Sequence, residues 1–172
     1  MKELILGGVR SGKSRLAEQH AIASGLPVTL IATATIGDAE MQQRIDRHRR
    51  HRPVHWEVVE EPHALAAALC THASPNRCVI IDCLTLWMTN LLGVEEKSFS
   101  THERYALLNV LRGLPGHIIF VSNETGMGVV PMGELSRRFC DESGRLHQDL
   151  ARLSDRVILT VAGLPHVLKG KL

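Results

Sequence analysis

An α/β fold with a mostly parallel central sheet and helices on both faces is predicted by three features of this 172-residue chain. Strand-like apolar runs recur at about 3–7, 28–33, 56–60, 78–82, 117–122 and 156–161, and most of the intervening segments have helical periodicity. Val79-Ile80-Ile81 and Ile118-Ile119-Phe120-Val121 are apolar without alternation, as strands covered on both faces require. Between the first strand and the first helix stands a glycine-rich loop, Gly7-Gly8-Val9-Arg10-Ser11-Gly12-Lys13-Ser14. Near the C-terminus, Gly163 followed by Leu164-Pro165-His166-Val167-Leu168 can turn a last short strand back along the sheet edge. Residues 93–100 read as a surface connection between helices. The length fits one domain, 1–172, with room for one substantial core.

The loop matches G-x-x-x-x-G-K-[ST] in the context that motif needs, a buried strand before it and a helix after it. Glycines permit a tight turn whose backbone N–H groups converge on an anion, and the following helix start adds partial positive charge. Lys13 then reaches the terminal phosphates, and the Ser14 hydroxyl is placed for Mg2+. A lone glycine-rich turn would satisfy far fewer of these conditions.

Charge and cysteine content narrow the class. Lys and Arg total 20 against 18 Asp and Glu, a net charge of +2, too small for a general nucleic-acid or membrane binder. Cys70, Cys78, Cys83 and Cys140 form no C-x-x-C pair, so they read as reduced thiols rather than disulfides or metal ligands. No signal-peptide pattern opens the chain and no apolar run approaches the ~18 residues of a membrane span, so a cytoplasmic protein is expected.

A second informative stretch runs from Asp38 to Pro53. Asp38 is a plausible N-cap and Pro53 a stop, which predicts a helix of about 13 residues. At 100° per residue, Met41, Ile45, His48 and Arg52 share one stripe, with His51 roughly 80° and Arg47 roughly 120° away. Arginines at 44, 47, 49, 50 and 52 surround His48 in sequence, and guanidinium forks suit phosphate. Three readings stand side by side: a solvated basic face, a nucleic-acid patch, and a nucleotide site in which His48 is a nucleophile. The patch is poorly supported by 3% aromatic content and by the lack of any nucleic-acid module. As a nucleophile His48 has the right chemistry, because nearby cations favour the neutral imidazole and a neutral ring nitrogen can attack phosphorus. Zinc at His48, His51 and His55 fits the spacing but lacks a fourth ligand.

Asp82 ends the strand Cys78-Val79-Ile80-Ile81, where P-loop enzymes place the carboxylate that holds magnesium beside the loop hydroxyl; its alternative is an N-cap for the helix near Leu84. A later strand ends in Ser122-Asn123-Glu124-Thr125-Gly126-Met127-Gly128, at the sheet edge where open α/β folds bind ligands. Glu124 could orient a substrate hydroxyl or a metal-bound water, or simply structure the loop.

These motifs together resemble the bifunctional adenosylcobinamide kinase/adenosylcobinamide-phosphate guanylyltransferase family of cobalamin biosynthesis. The resemblance rests on 7–14, Ile31-Ala32-Thr33-Ala34, Arg44-Ile45 with His48, Arg52-Pro53, Trp56, Glu60, Asp82-Cys83-Leu84-Thr85, Thr89-Asn90-Leu91-Leu92 and Ser122-Asn123-Glu124 through Val130-Pro131. It continues through Arg138-Phe139, Asp141, Gly144-Arg145 and Gln148 to Ala162-Gly163-Leu164-Pro165. Arg47 stands where some relatives carry a second histidine, and His147-Gln148 where asparagine-glutamine is common. The resemblance implies a RecA-like P-loop nucleotide-binding fold, often a homotrimer, acting on adenosylcobinamide and its phosphate. It implies a kinase step with ATP or GTP, then transfer of GMP from GTP through a guanylylated histidine, which by motif position is His48. Carried over by position, nucleotide contacts fall at Gly7, Gly8, Val9, Arg10, Ser11, Gly12, Lys13 and Ser14, at Ile31, Ala32 and Thr33, at Arg49, Arg50, His51 and Arg52, and at Glu60 and Asp82. Ser14 and Asp82 are the expected Mg2+ ligands and Lys13 a catalytic residue.

Other functions remain to be set against this one. A P-loop kinase of another small hydroxyl substrate would form no covalent GMP adduct. A GTP-binding switch would need N-K-x-D and D-x-x-G elements, and neither is found. A nucleic-acid-binding P-loop protein would show steep salt dependence.

Overall fold

The computed structural model describes residues 1–35 and 53–172. The helix expected over 38–52, with His48, Arg49, Arg50, His51 and Arg52, lies outside the described residues. The described chain runs β1 (Lys2–Gly7), α1 (Lys13–Ala23), β2 (Val28–Ala32), β3 (Glu57–Glu60), α2 (Leu65–His72), β4 (Cys78–Asp82), α3 (Leu84–Gly93), α4 (Lys97–Leu111), β5 (His117–Asn123), α5 (Glu134–Leu153), β6 (Arg156–Val161) and β7 (Leu164–Lys169). The strands form one sheet in the order β3-β2-β4-β5-β1-β6-β7. Every pairing is parallel except β6 with β7. The last strand therefore does turn back along the edge.

Strand alternation divides the core into two layers. Leu4, Leu6, Val79, Ile81, Ile118 and Phe120 face one side, where Leu65 and Leu69 of α2, Trp87 and Met88 of α3, Leu107 and Leu111 of α4, and Leu146 and Leu150 of α5 close over them. Ile5, Leu30, Ile80, Ile119 and Val121 face the other, under Ala17 and Ala21 of α1 and Trp56. Burial on both faces is why these strands read as continuous apolar runs. Trp87, wholly buried, settles its one polar atom by donating from Nε1 to the His63 carbonyl at 2.7 Å.

One expectation needs correction. Only 94–96 of the stretch 93–100 is a connection, because α4 begins at Lys97. Glu96 precedes it in extended conformation, Phe99 N–H donates to the Glu96 carbonyl at 3.0 Å, and Ser98 Oγ donates to Glu96 Oε1 at 2.5 Å. Ser100 is buried and Phe99 packs on the core, so the polar-looking segment is the first turn of a docked helix.

Parallel strands put all their carboxyl ends on one edge. There the loop after β1 and the end of β4 are separated by a single strand, β5. Glu60, Ala32 and Asp82 lie in one register row on the three neighbouring strands beyond it.

A phosphate loop at the carboxyl edge of the sheet

Glycine is required where the loop leaves β1. A Cβ on Gly7 would stand 2.6 Å from the Thr160 carbonyl oxygen and 2.4 Å from Ser11 Oγ. Gly12 has φ of 98°, and a Cβ there would meet Gly163 Cα at 3.1 Å, so sterics and conformation both demand glycine. The loop closes through Ser11 N–H donating to the Gly8 carbonyl at 3.2 Å. It is also propped from outside, since Gly163 N–H, in the β6–β7 turn, donates to the Ser11 carbonyl at 2.8 Å.

α1 starts directly from Gly12. Among the described residues no side chain caps it, and its first turn holds no acid. A helix start of this kind, with its N–H groups and positive dipole end, suits an anion. Lys13, in that first turn, is poorly placed for helix stability, and it is also buried. Its Nζ donates to the Gly8 carbonyl at 3.0 Å. Burial pushes its pKa below the ordinary lysine value, opposed by the neighbouring Cys83 and Asp82. A cation held there against both costs has an electrostatic task.

Ser14 and Asp82 line one small crevice with Ala17, Glu18, Leu30, Ile80 and Val121. The helix-cap alternative for Asp82 is not what forms. Cys83 occupies the position before α3, with no side-chain capping bond, and the Asp82–Cys83 peptide is cis. The strand-end residues of β2 are more deeply engaged than a simple contact role needs. Ile31 is in the core. Thr33 is fully buried, its hydroxyl donating to the Cys83 carbonyl at 2.7 Å and accepting from Cys83 N–H at 3.0 Å. Asn90 Nδ2 donates to the Thr33 carbonyl at 2.7 Å, which ties α3 to the end of β2. Ala32 is half-buried and Glu60 exposed at the same edge. His48, Arg49, Arg50, His51 and Arg52 lie outside the described residues.

Sequence reasoning missed two supports of this edge. One is the β6–β7 turn, in which Ala162 and Gly163 have φ of 51° and 81°. The other is a buried polar cluster of Thr85, Ser122 and His147 beneath Glu124. Its signal was available, because Phe139, Ser143, Leu146, His147 and Leu150 follow helical spacing and put the histidine on the inward face of α5. A depression of about 600 Å³ lies near the opposite edge, between Gly25, Leu26, Pro27, Val28, His55, Glu57 and Arg77. Its charges satisfy each other, with Arg77 2.6 Å from Glu57 and from Thr29 Oγ1, so it lacks the convergent spare polar groups of the loop edge.

Sheet, loop and Lys13 define a P-loop nucleotide-binding protein of RecA-like architecture. A type III secretion system ATPase superimposes with TM-score 0.59 at 11% identity over 96% of this chain and 56% of that one, and the RadB recombinase with 0.51 at 16% identity over 92% and 73%. At such identities the likeness is one of fold. The chain belongs to the cobinamide kinase/cobinamide phosphate guanyltransferase family, whose model matches residues 3–168. It is 60% identical to the bifunctional adenosylcobalamin biosynthesis protein CobP of Pseudomonas aeruginosa over 99% of both chains. To the protein CobU of the same description from Escherichia coli it is 37% identical, over 95% of this chain and 97% of that one. No helix among the described residues is long and apolar enough to cross a membrane.

Proposed function

We propose that this member of the family carries out two reactions at the loop edge. In the first, the hydroxyl of adenosylcobinamide attacks the γ-phosphorus of ATP or GTP lying on residues 7–14. In the second, His48 attacks the α-phosphorus of GTP, pyrophosphate leaves, and the phosphate of adenosylcobinamide phosphate displaces the histidine to give adenosylcobinamide-GDP. Covalent catalysis divides one hard phosphoryl exchange into two easier ones. The observation that carries the reading is the uncapped start of α1 with Lys13 buried in its first turn, in a chain matched by the family model over 3–168.

Each residue has a task that follows from its chemistry. The loop N–H groups and Lys13 hold the β- and γ-phosphates and stabilise charge that develops on the leaving oxygens. Magnesium would be held by Ser14 and Asp82, two hard oxygen donors on one crevice, and when bound it neutralises charge on those same phosphates. Arg49, Arg50 and Arg52 supply cationic contacts to the triphosphate and His51 a ring nitrogen, while Ala32 and Glu60 border the nucleotide from the β2–β3 side. The wholly inward side chains of Ile31 and Thr33 support the reading that they shape this border from within.

The wider expectations belong to the same proposal: a cytoplasmic enzyme acting as a single unit over 1–172, a homotrimer, and no nucleic-acid partner. Exposed Met127, Val129, Val130 and Met132 are consistent with subunit packing beside the loop edge.

The test is α-labelled GTP with magnesium. Label should enter the protein in an acid-labile, alkali-stable bond and pass to product on adding cobinamide phosphate. His48→Ala should lose both labelling and GDP-cobinamide formation, while cobinamide phosphorylation stays within about threefold of wild type. Equal loss of both activities in a folded variant would reject the division of labour.

A further inference from the structure

Strand β5 is interposed between β1, which runs into the phosphate loop, and β4, which ends in Asp82. What projects beyond its end stands between the loop and that carboxylate. The residue is Glu124. Its backbone N–H donates to the Gly7 carbonyl at 3.0 Å, fixing it against the first residue of the loop. Its side chain is 20% exposed, enough to meet a ligand without floating in solvent. Oε1 accepts from Gly126 N–H at 2.7 Å, and Oε2 lies 3.7 Å from His147 Nδ1.

The contacts around His147 favour one tautomer, with the carboxylate of Glu124 facing Nδ1. Asn123 N–H donates to Thr85 Oγ1 at 2.7 Å, and Thr85 Oγ1 lies 3.4 Å from Ser122 Oγ. Ser122 Oγ lies 2.8 Å from His147 Nε2 and, as a hydroxyl, can give its proton to that nitrogen. A neutral ring accepting at Nε2 carries its proton on Nδ1, the nitrogen that faces Glu124. The other tautomer would set a ring lone pair against a carboxylate. Burial lowers the His147 pKa below the ordinary histidine value, opposed by the charge of Glu124 and its contact with the ring. In that tautomer Nδ1 turns its N–H toward a carboxylate whose other oxygen is already tethered. A loop-structuring glutamate needs only the tether.

We propose that Glu124 is the catalytic carboxylate of the kinase reaction, taking the proton from the substrate alcohol, with His147 as the positioning residue that holds it. This rests on the kinase reading above. In the step, the alcohol oxygen forms a bond to the γ-phosphorus, its proton passes to Glu124, and the bond from the γ-phosphorus to the bridging oxygen breaks. The nucleoside diphosphate leaves with that electron pair, and Glu124 later returns the proton to solvent. A positioned base of this kind contributes ~10²–10⁴-fold.

The experiment measures cobinamide phosphorylation by the full chain with magnesium and ATP or GTP. Glu124→Gln should lower kcat at least about 100-fold with the nucleotide KM within about twofold, and Glu124→Asp should fall between. His147→Ala should lower kcat about tenfold or more, whereas His147→Asn, whose amide can donate to Glu124 and accept from Ser122, should recover to within about threefold of wild type. Should His147→Ala not fold, the two Glu124 variants decide. An active wild type with Glu124→Gln within about threefold of it overturns the assignment of Glu124 alone. Wild-type protein that does not phosphorylate cobinamide overturns the kinase reading and this proposal with it.

Discussion

Glu3 shows how a charge can be buried in this fold at a profit. It is fully buried at the start of β1, with Arg156 Nη2 at 2.8 Å, His20 Nδ1 at 2.5 Å and His117 Nε2 at 3.4 Å from its oxygens. Burial alone would raise its pKa, but hydrogen bonds from His117, His20 and Arg156 outweigh it and hold the value at about 2, against 4.5 ordinarily. A depressed carboxylate pKa adds stability above its unfolded value and loses it as pH falls toward the folded one. The difference of about 2.5 units corresponds to on the order of 3 kcal/mol, present at neutral pH and lost between about pH 4.5 and pH 2. Glu3→Gln should therefore cost about that much at pH 7 by urea unfolding, and the gap to wild type should shrink by more than half at pH 3. A gap independent of pH would show that packing, not charge, sets the cost. None of this was legible in the sequence. Glu3 looks like a polar interruption of an apolar strand, and its partners begin strands or lie on a helix 17 to 153 residues away.

Elements were legible where one physical pattern dominated. The inner strands announced themselves because burial on both faces allows no alternation, and the phosphate loop because close backbone approach admits only glycine at Gly7 and Gly12. α4 was read too short because no strong cap marks its start; Glu96 does the work with its backbone carbonyl and one serine contact. The β6–β7 turn was seen as a glycine but not as a support. Val161 pairs with Leu164 across two residues, both with positive φ, the geometry of a type I′ turn. Such a turn prefers Asn-Gly, yet Ala162 fills the first position at a conformational cost of roughly 1 kcal/mol. Ala162→Asn should raise unfolding stability by several tenths to about 1 kcal/mol, measured by urea titration, with no change in nucleotide KM because the Gly163 N–H to Ser11 bond is kept. A fall in stability would mean that the strain is matched by a contact of the alanine methyl.

At the scale of the whole molecule, strand order could not be read from the sequence. Nothing local says that β5 enters between β1 and β4, and that insertion is what sets Glu124 beside the loop. The arrangement collects at one edge several features that oppose stability: an uncapped helix start, a buried lysine and a closely packed glycine turn. Stability given up at a site is returned when its ligand binds, by RT ln(1 + [L]/Kd). At a ligand concentration 100 times Kd this amounts to ~2.7 kcal/mol, or a rise in Tm of roughly 5–10 °C for a chain of this size. Magnesium-GTP should produce that shift in the wild type. Lys13→Met removes a buried cation and keeps an unbranched stem of similar bulk, so it should leave the ligand-free Tm equal or higher while abolishing most of the shift. Calorimetry of the two proteins with and without nucleotide makes the comparison. A ligand-free Lys13→Met that melts well below wild type would assign Lys13 to the architecture instead, and the loop edge would then be strained for no catalytic return.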